Sequence, residues 1–124
     1  MEPPKMPIVD IELVAGDPEE GRGQLQTLVD ELGDLFGSGP GGTWVKLRST
    51  DPAGYAENQV AAGTYGPTFV NIQRLQLPDE DERRREMAAV AEIVARTLNR
   101  RRENVHVLYA PSAKGRIGFG GELA

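Results

Sequence analysis

The sequence predicts a duplicated strand-helix-strand fold: four strands in one sheet, with two helices packed on one of its faces. Three observations carry this reading. The second half echoes the first at an offset of about 61 residues. Each half holds an apolar run at helical spacing behind an acidic start, and strand-like segments flank both runs. With 124 residues, of which 39% are hydrophobic, the chain suffices for one packed domain.

The first strand of each half is read at Ile8-Val9-Asp10-Ile11-Glu12 and at Phe69-Val70-Asn71-Ile72-Gln73, which share the order apolar, apolar, short polar, isoleucine, long polar. Asp17-Pro18-Glu19-Glu20 lies over Asp79-Glu80-Asp81-Glu82, and each segment offers an Asp as N-cap, carboxylates for the positive first turn and a Glu three positions after the cap. Helices are expected to start there. Leu25, Leu28, Val29, Leu32, Leu35 and Phe36 then keep helical spacing, as do Met87, Val90, Ala91, Val94, Thr97 and Leu98. The glycine-rich loop Gly37 to Gly42 ends the first helix, and Asn99 with the run Arg100-Arg101-Arg102 ends the second, where cations suit the negative helix terminus. Second strands follow, Thr43 to Arg48 laid over Asn104 to Tyr109.

A right-handed crossover makes the two strands of each unit parallel and puts both helices on one side of the sheet. With the strands so aligned, Val45, Leu47 and Leu108 are expected to point away from Trp44, Val105 and Val107, so that both faces carry apolar groups. The uncovered face then calls for a second copy of the chain. The linker Val60 to Pro67 joins a first repeat, 7–60, to a second, 67–124, behind an extension, 1–6.

Composition narrows the function. Nineteen acidic against 14 basic residues give a net charge of -5, which argues against nucleic acid or an anionic membrane as the main partner and for small molecules or other protein chains. No cysteine and one histidine leave zinc and iron-sulfur sites unfillable, and no metal or cofactor is expected. No apolar run approaches a membrane span, and Met1 to Lys5 lacks the apolar core of a signal peptide, so a cytoplasmic protein is expected. The arginine runs at 83–85 and 100–102 lie among Glu80, Asp81, Glu82, Glu86 and Glu103 and are read as solvated helix charges. The loop at 37–42 follows a helix and lacks the Lys and Ser/Thr of a phosphate loop.

A duplicated strand-helix-strand unit that opens with Met6-Pro7-Ile8-Val9 and closes with Ala113-Lys114-Gly115-Arg116-Ile117-Gly118-Phe119-Gly120-Gly121-Glu122-Leu123 resembles the tautomerase superfamily, which includes oxalocrotonate tautomerase and macrophage migration inhibitory factor. The resemblance covers nearly the whole chain from Pro7. It implies an α+β two-layer sandwich with a four-stranded mixed sheet, a homotrimer, and an N-terminal proline that acts as general base or acid on a small carboxylate-bearing enol or keto substrate. Related members hydrate or dehalogenate small unsaturated acids with the same proline.

An N-terminal proline suits this chemistry because its secondary amine can be tuned toward neutrality by a buried, cation-lined pocket, and its ring fixes the direction of the nitrogen. Six residues precede Pro7 here, so as written its nitrogen is a tertiary amide without a basic lone pair. Translation from Met6, followed by removal of that Met before the small Pro7, is expected to free it. Otherwise Pro7 simply begins an edge strand.

The family arginine that reaches substrate across a subunit boundary falls on Val45 in one half and His106 in the other, the same position being a substrate-contacting tyrosine in macrophage migration inhibitory factor. His106 is thus a candidate substrate-binding residue, with Arg74 as the cation that replaces the arginine found after the first strand in the family. Tyr109 is a candidate acid beside the pocket, and the pocket phenylalanine falls on Ile117, with Phe119 two residues on. Lys46 and Arg48 are cations able to bind a carboxylate or face a neighbour, and Glu122 is an acid that would favour hydration. Asp10, Glu12 and Glu57 offer carboxylates that no spacing brings together. Two functions follow: a tautomerase, or a trimeric binding or interaction protein in which the extension covers the pocket, Pro3 and Pro4 stiffening that cover.

Overall fold

The computed structural model describes residues 6–61, 63 and 66–124. Its main elements are β1 (Ile8–Val14), α1 (Leu25–Phe36), β2 (Trp44–Thr50), β3 (Thr68–Gln73), α2 (Glu80–Thr97), β4 (Val105–Tyr109) and a small hairpin, β5 (Gly118–Phe119) and β6 (Glu122–Leu123). The sheet runs β2-β1-β3-β4; β1 is parallel to β2 and antiparallel to β3, and β3 is parallel to β4. This is the mixed sheet of two strand-helix-strand units, with the helices in a second layer over one face.

Residues i and i+2 of a strand share a face. Val9, Ile11 and Leu13 of β1, with Val70 and Ile72 of β3, therefore form one apolar row, which packs on Leu28 and Leu32 of α1 and on Val90 and Val94 of α2. Val45 and Leu47 join this core from β2, and Val105, Val107 and Tyr109 join it from β4. The alternation expected for the outer strands is thus corrected: Val45 and Leu47 lie on the same face as Val105 and Val107, while Leu108 shares the open face with Trp44. The cause is a slip of one residue. Val9 pairs with Val45 in the first half, and its counterpart Val70 pairs with Val107 in the second. The spacing between the halves has grown from about 61 to about 62 by the helices, and it stays there through the second strand; a slip of one inverts every side chain of a strand. His106 is accordingly the counterpart of Trp44, not of Val45.

The two helix starts also differ. Asp79 caps α2 as expected, its carboxylate accepting the backbone N–H of Glu82 at 2.9 Å. Asp17 does not cap α1. Its carboxylate takes the N–H of Glu19 and closes only a turn, and α1 begins at Leu25 after a 3-10 turn over Arg22–Gln24. Gly21 is the reason: its φ of 85° is left-handed, and a Cβ there would stand 3.1–3.3 Å from Leu47, Leu13 and Leu98. The chain crosses the core edge at that point before it can coil.

At the far ends, Gly37 takes φ 69° and closes α1, with the N–H of Gly37 on Asp34 O and that of Ser38 on Gly33 O. Asn99, at φ 54°, does the same after α2. The solvated reading of the basic runs needs correction at two residues. Arg100, with a side chain 12% exposed, donates to the carbonyls of Val14 and Gly66 and pairs with Glu20. Glu86 is buried to a similar degree, because its place on α2 is the stripe of Val90 and Val94.

Candidate functional site

One end of the sheet gathers most of the residues singled out in the sequence. Pro7 is buried just before β1, and its carbonyl accepts the N–H of Trp44 at 3.1 Å, which ties it to the start of β2. The chain after β3 and the chain after β4 run together here: Ala113 N–H donates to Arg74 O and Lys114 N–H to Leu75 O, both at 3.0 Å. The hairpin then folds back, and Phe119 meets Trp44 edge to face at 5.8 Å. Glycines allow this close return; Gly115, Gly120 and Gly121 all have positive φ.

Between these segments and the end of α1 opens a cavity of about 450 Å³, lined by Met6, Phe36, Gly37, Ser38, Arg74, Leu75, Gln76 and Lys114. Arg74 and Lys114 are its charged groups. Arg74 is held twice: its guanidinium lies 5.5 Å from the Phe36 ring centre, and Nη1 donates to Glu86 Oε1. The other oxygen of Glu86 accepts the hydroxyl of Tyr109. Burial first, and the Glu86 carboxylate second, push the Tyr109 hydroxyl far above the usual tyrosine range. Tyr109 is therefore a neutral donor at all ordinary pH, committed to Glu86.

The remaining candidates lie elsewhere. His106 is on the open face, its ring tilted at 41° to that of Phe69 with centres 5.8 Å apart, and level with Glu12, toward the opposite end of the sheet from Pro7. Lys46 pairs with Asp10 and Arg48 with Glu12 on that same face. Glu57 accepts the Tyr55 hydroxyl. Ile117, half-buried, immediately precedes the hairpin, and Glu122 is exposed on it. The cover expected from Pro3 and Pro4 lies outside the described residues. Among the described residues no three acidic or histidine side chains are gathered as a metal ion would need.

Glu86 was missed in the sequence because it stood among other charges; its signal was a carboxylate four and eight residues before Val90 and Val94, on a helix face that is otherwise apolar. Lys114 was visible only as part of the closing motif.

No protein-family profile matches the chain, and no curated protein matches it. Solved structures do. A macrophage migration inhibitory factor homologue from Prochlorococcus marinus is 15% identical, with a TM-score of 0.71 over 94% of this chain and 97% of the homologue. The symmetric trimer of Q0 fused 4-OT is 16% identical, with a TM-score of 0.75 over 94% of each chain. Pt0534 inactivated by 2-oxo-3-pentynoate is 19% identical, with a TM-score of 0.74, again over 94% of each. At these identities the likeness is one of fold. The chain has the α+β sandwich of the tautomerase and macrophage migration inhibitory factor group.

Proposed function

We propose that this chain is a tautomerase-type isomerase that shifts a proton on a small enol or keto carboxylate, with the freed amine of Pro7 as general base. The observation that carries the reading is the cavity at the Pro7 end, which begins at Met6, one peptide bond from the Pro7 nitrogen, and holds the cations Arg74 and Lys114. Like charges disfavour the protonated form of an amine beside them, so the Lys114 charge, with what Glu86 leaves of the Arg74 charge, makes a free Pro7 nitrogen here less basic than one in water. Lys114 and Arg74 suit a carboxylate, and Phe36 suits the apolar body of the substrate. The amine takes a proton from one end of the three-atom enol unit and delivers it to the other, from the enol oxygen to the carbon two atoms away or the reverse, as the double bond shifts between them, with no net change in the enzyme.

Isomerisation is favoured over hydration because hydration needs a second acid-base group besides the proline, one to take a proton from the water and one to protonate the substrate carbon. Tyr109 is committed to Glu86, and Glu122 is exposed on the hairpin. Self-association is part of the proposal. The open face exposes Trp44 and Leu108, the latter 63% accessible, and the fused 4-OT that shares this fold is a symmetric trimer. With three copies joined through that face, His106 reaches substrate only in a neighbour's pocket.

The test is an enol-keto assay on phenylpyruvate with chains starting at Met1 and at Pro7. Activity confined to the Pro7 start, and lost by at least a hundredfold in Pro7→Ala, is expected at the magnitude of a general base, roughly 10²–10⁴. Equal rates from both chains would exclude the amine. A second reading rests on Met6 itself: while its peptide bond stands, Pro7 has no basic nitrogen and Met6 lines the cavity. In that form the protein is a trimeric binding or interaction protein. Anion binding without turnover from either chain supports this second reading.

A further inference from the structure

We infer that Glu86 determines the specificity of this cavity: by pairing with Arg74 it leaves Lys114 as the one uncompensated cation among the described residues that line it, so that the pocket takes monocarboxylates in preference to dicarboxylates. The inference rests on the reading of the cavity as the substrate pocket.

The charge balance follows from the geometry. Arg74 and Lys114 are the charged groups that line the space. Behind Arg74, Glu86 uses both of its oxygens, one for the guanidinium and one for the Tyr109 hydroxyl, and its side chain is only 14% exposed. A carboxylate held at both oxygens does not swing away when a substrate enters. Arg74, 26% exposed and seated over Phe36, does not leave it either. The pair therefore meets the ligand as a nearly neutral unit that still offers N–H donors from the guanidinium. Arg83, the other cation that acts on Tyr109, donates to Pro78 O and does not line the cavity. Lys114 has no carboxylate within ion-pair distance among the described residues, and its backbone N–H is fixed on Leu75 O. One free cation matches one carboxylate. A second carboxylate in the same space loses water and meets the Glu86 charge through Arg74 without a cation of its own.

Glu86 is a positioning residue, so its test must read something that loss of structure alone does not. Crotonate and fumarate, a monoanion and a dianion of the same size class, are titrated calorimetrically at pH 7 into the full chain, where the Pro7 nitrogen is an uncharged amide. The wild-type chain should bind crotonate more tightly than fumarate, and equal or tighter binding of fumarate overturns the inference. Glu86→Gln keeps the Tyr109 contact and releases the Arg74 charge; it should tighten fumarate about tenfold and crotonate about threefold or less. Glu86→Asp should leave the wild-type order in place. Lys114 is exposed, so Lys114→Met folds in any case; it should weaken crotonate about tenfold. An unchanged ratio of the two anions in Glu86→Gln, wild-type affinity in Lys114→Met, or no binding of either anion by the wild-type chain overturns the inference. Where the anion ratios come out as stated but the chain starting at Pro7 has no turnover, it is the isomerase reading that fails and the Glu86 assignment that stands.

Discussion

Tyr109 carries a consequence that can be measured without any substrate. Its hydroxyl is raised by burial and by Glu86, so the folded protein holds this proton where the unfolded chain, near pH 10, releases it. A raised folded value contributes stability that is present below about pH 10 and is lost as pH rises beyond it. Tyr109→Phe should therefore flatten the fall in stability above pH 10, and phenolate absorbance should lose a component that in the wild-type chain appears only with unfolding. The same alkaline unfolding curve for both proteins would contradict this. Glu31 has the opposite sign. Hydrogen bonds from Arg96 and Thr97 hold its carboxyl below the usual range of 4.5, so its contribution is present above that pH and fades as pH falls through it. Glu31→Gln should make the acid limb shallower. At this scale the sequence was only partly readable: Arg74 stood out as a candidate cation, and it lines the cavity, whereas its partner, Glu86, was disguised as one more surface charge.

Elements were easier to read than their boundaries. Both helices were visible in the apolar spacing, and Gly37 and Asn99 stop them where the sequence suggests. Asp79 and Asp17 looked equivalent, yet only one caps a helix, because Gly21 must pass between three leucines in a left-handed turn before α1 can form. Asp79→Ala should cost about 1 kcal/mol in urea unfolding, the usual value of a lost N-cap. Asp17→Ala should cost less than about 0.5 kcal/mol, since it frees a single exposed turn. Equal losses would mean that α1 starts where its acidic residues are. Arg100 shows the same limit of sequence reading: three arginines in a row look alike, but one satisfies two backbone carbonyls between β1 and the linker. Arg100→Ala should cost about 2 kcal/mol by leaving those carbonyls and Glu20 unpaired. The inverted face of the outer strands came from one residue; the helices had already moved to the longer spacing, and carrying it into β4 would have put Val107, not His106, beside Val45.

For the whole molecule, duplication explains where the cavity lies. Antiparallel pairing of β1 with β3 places the start of one half beside the end of the first strand of the other, so Pro7, Arg74 and the return from β4 meet at one end of the sheet. The resemblance in sequence pointed to Pro7, Arg74 and Phe119, and the structure brings these to the same end. It does not bring His106 there within one chain, because β4 presents that residue on the open face. That face also exposes Leu108 and Trp44; on the proposed assembly of three copies, the wild-type chain should sediment as three chains and Leu108→Glu as one, with the fold retained by circular dichroism.

The central claim, a free Pro7 amine facing a cationic pocket, is tested most directly with 2-oxo-3-pentynoate, the compound that inactivates Pt0534. Its triple bond is conjugated to a ketone, so an amine adds to the alkyne carbon, the amine proton passes to the neighbouring carbon, and the protein gains the whole mass of the reagent. Incubation of the chain starting at Pro7, followed by peptide mass mapping, should give one adduct on the Pro7 nitrogen, while the chain that retains Met6 stays unmodified there. A chain starting at Pro7 that takes up no reagent, or takes it up equally elsewhere, would contradict the role assigned to Pro7.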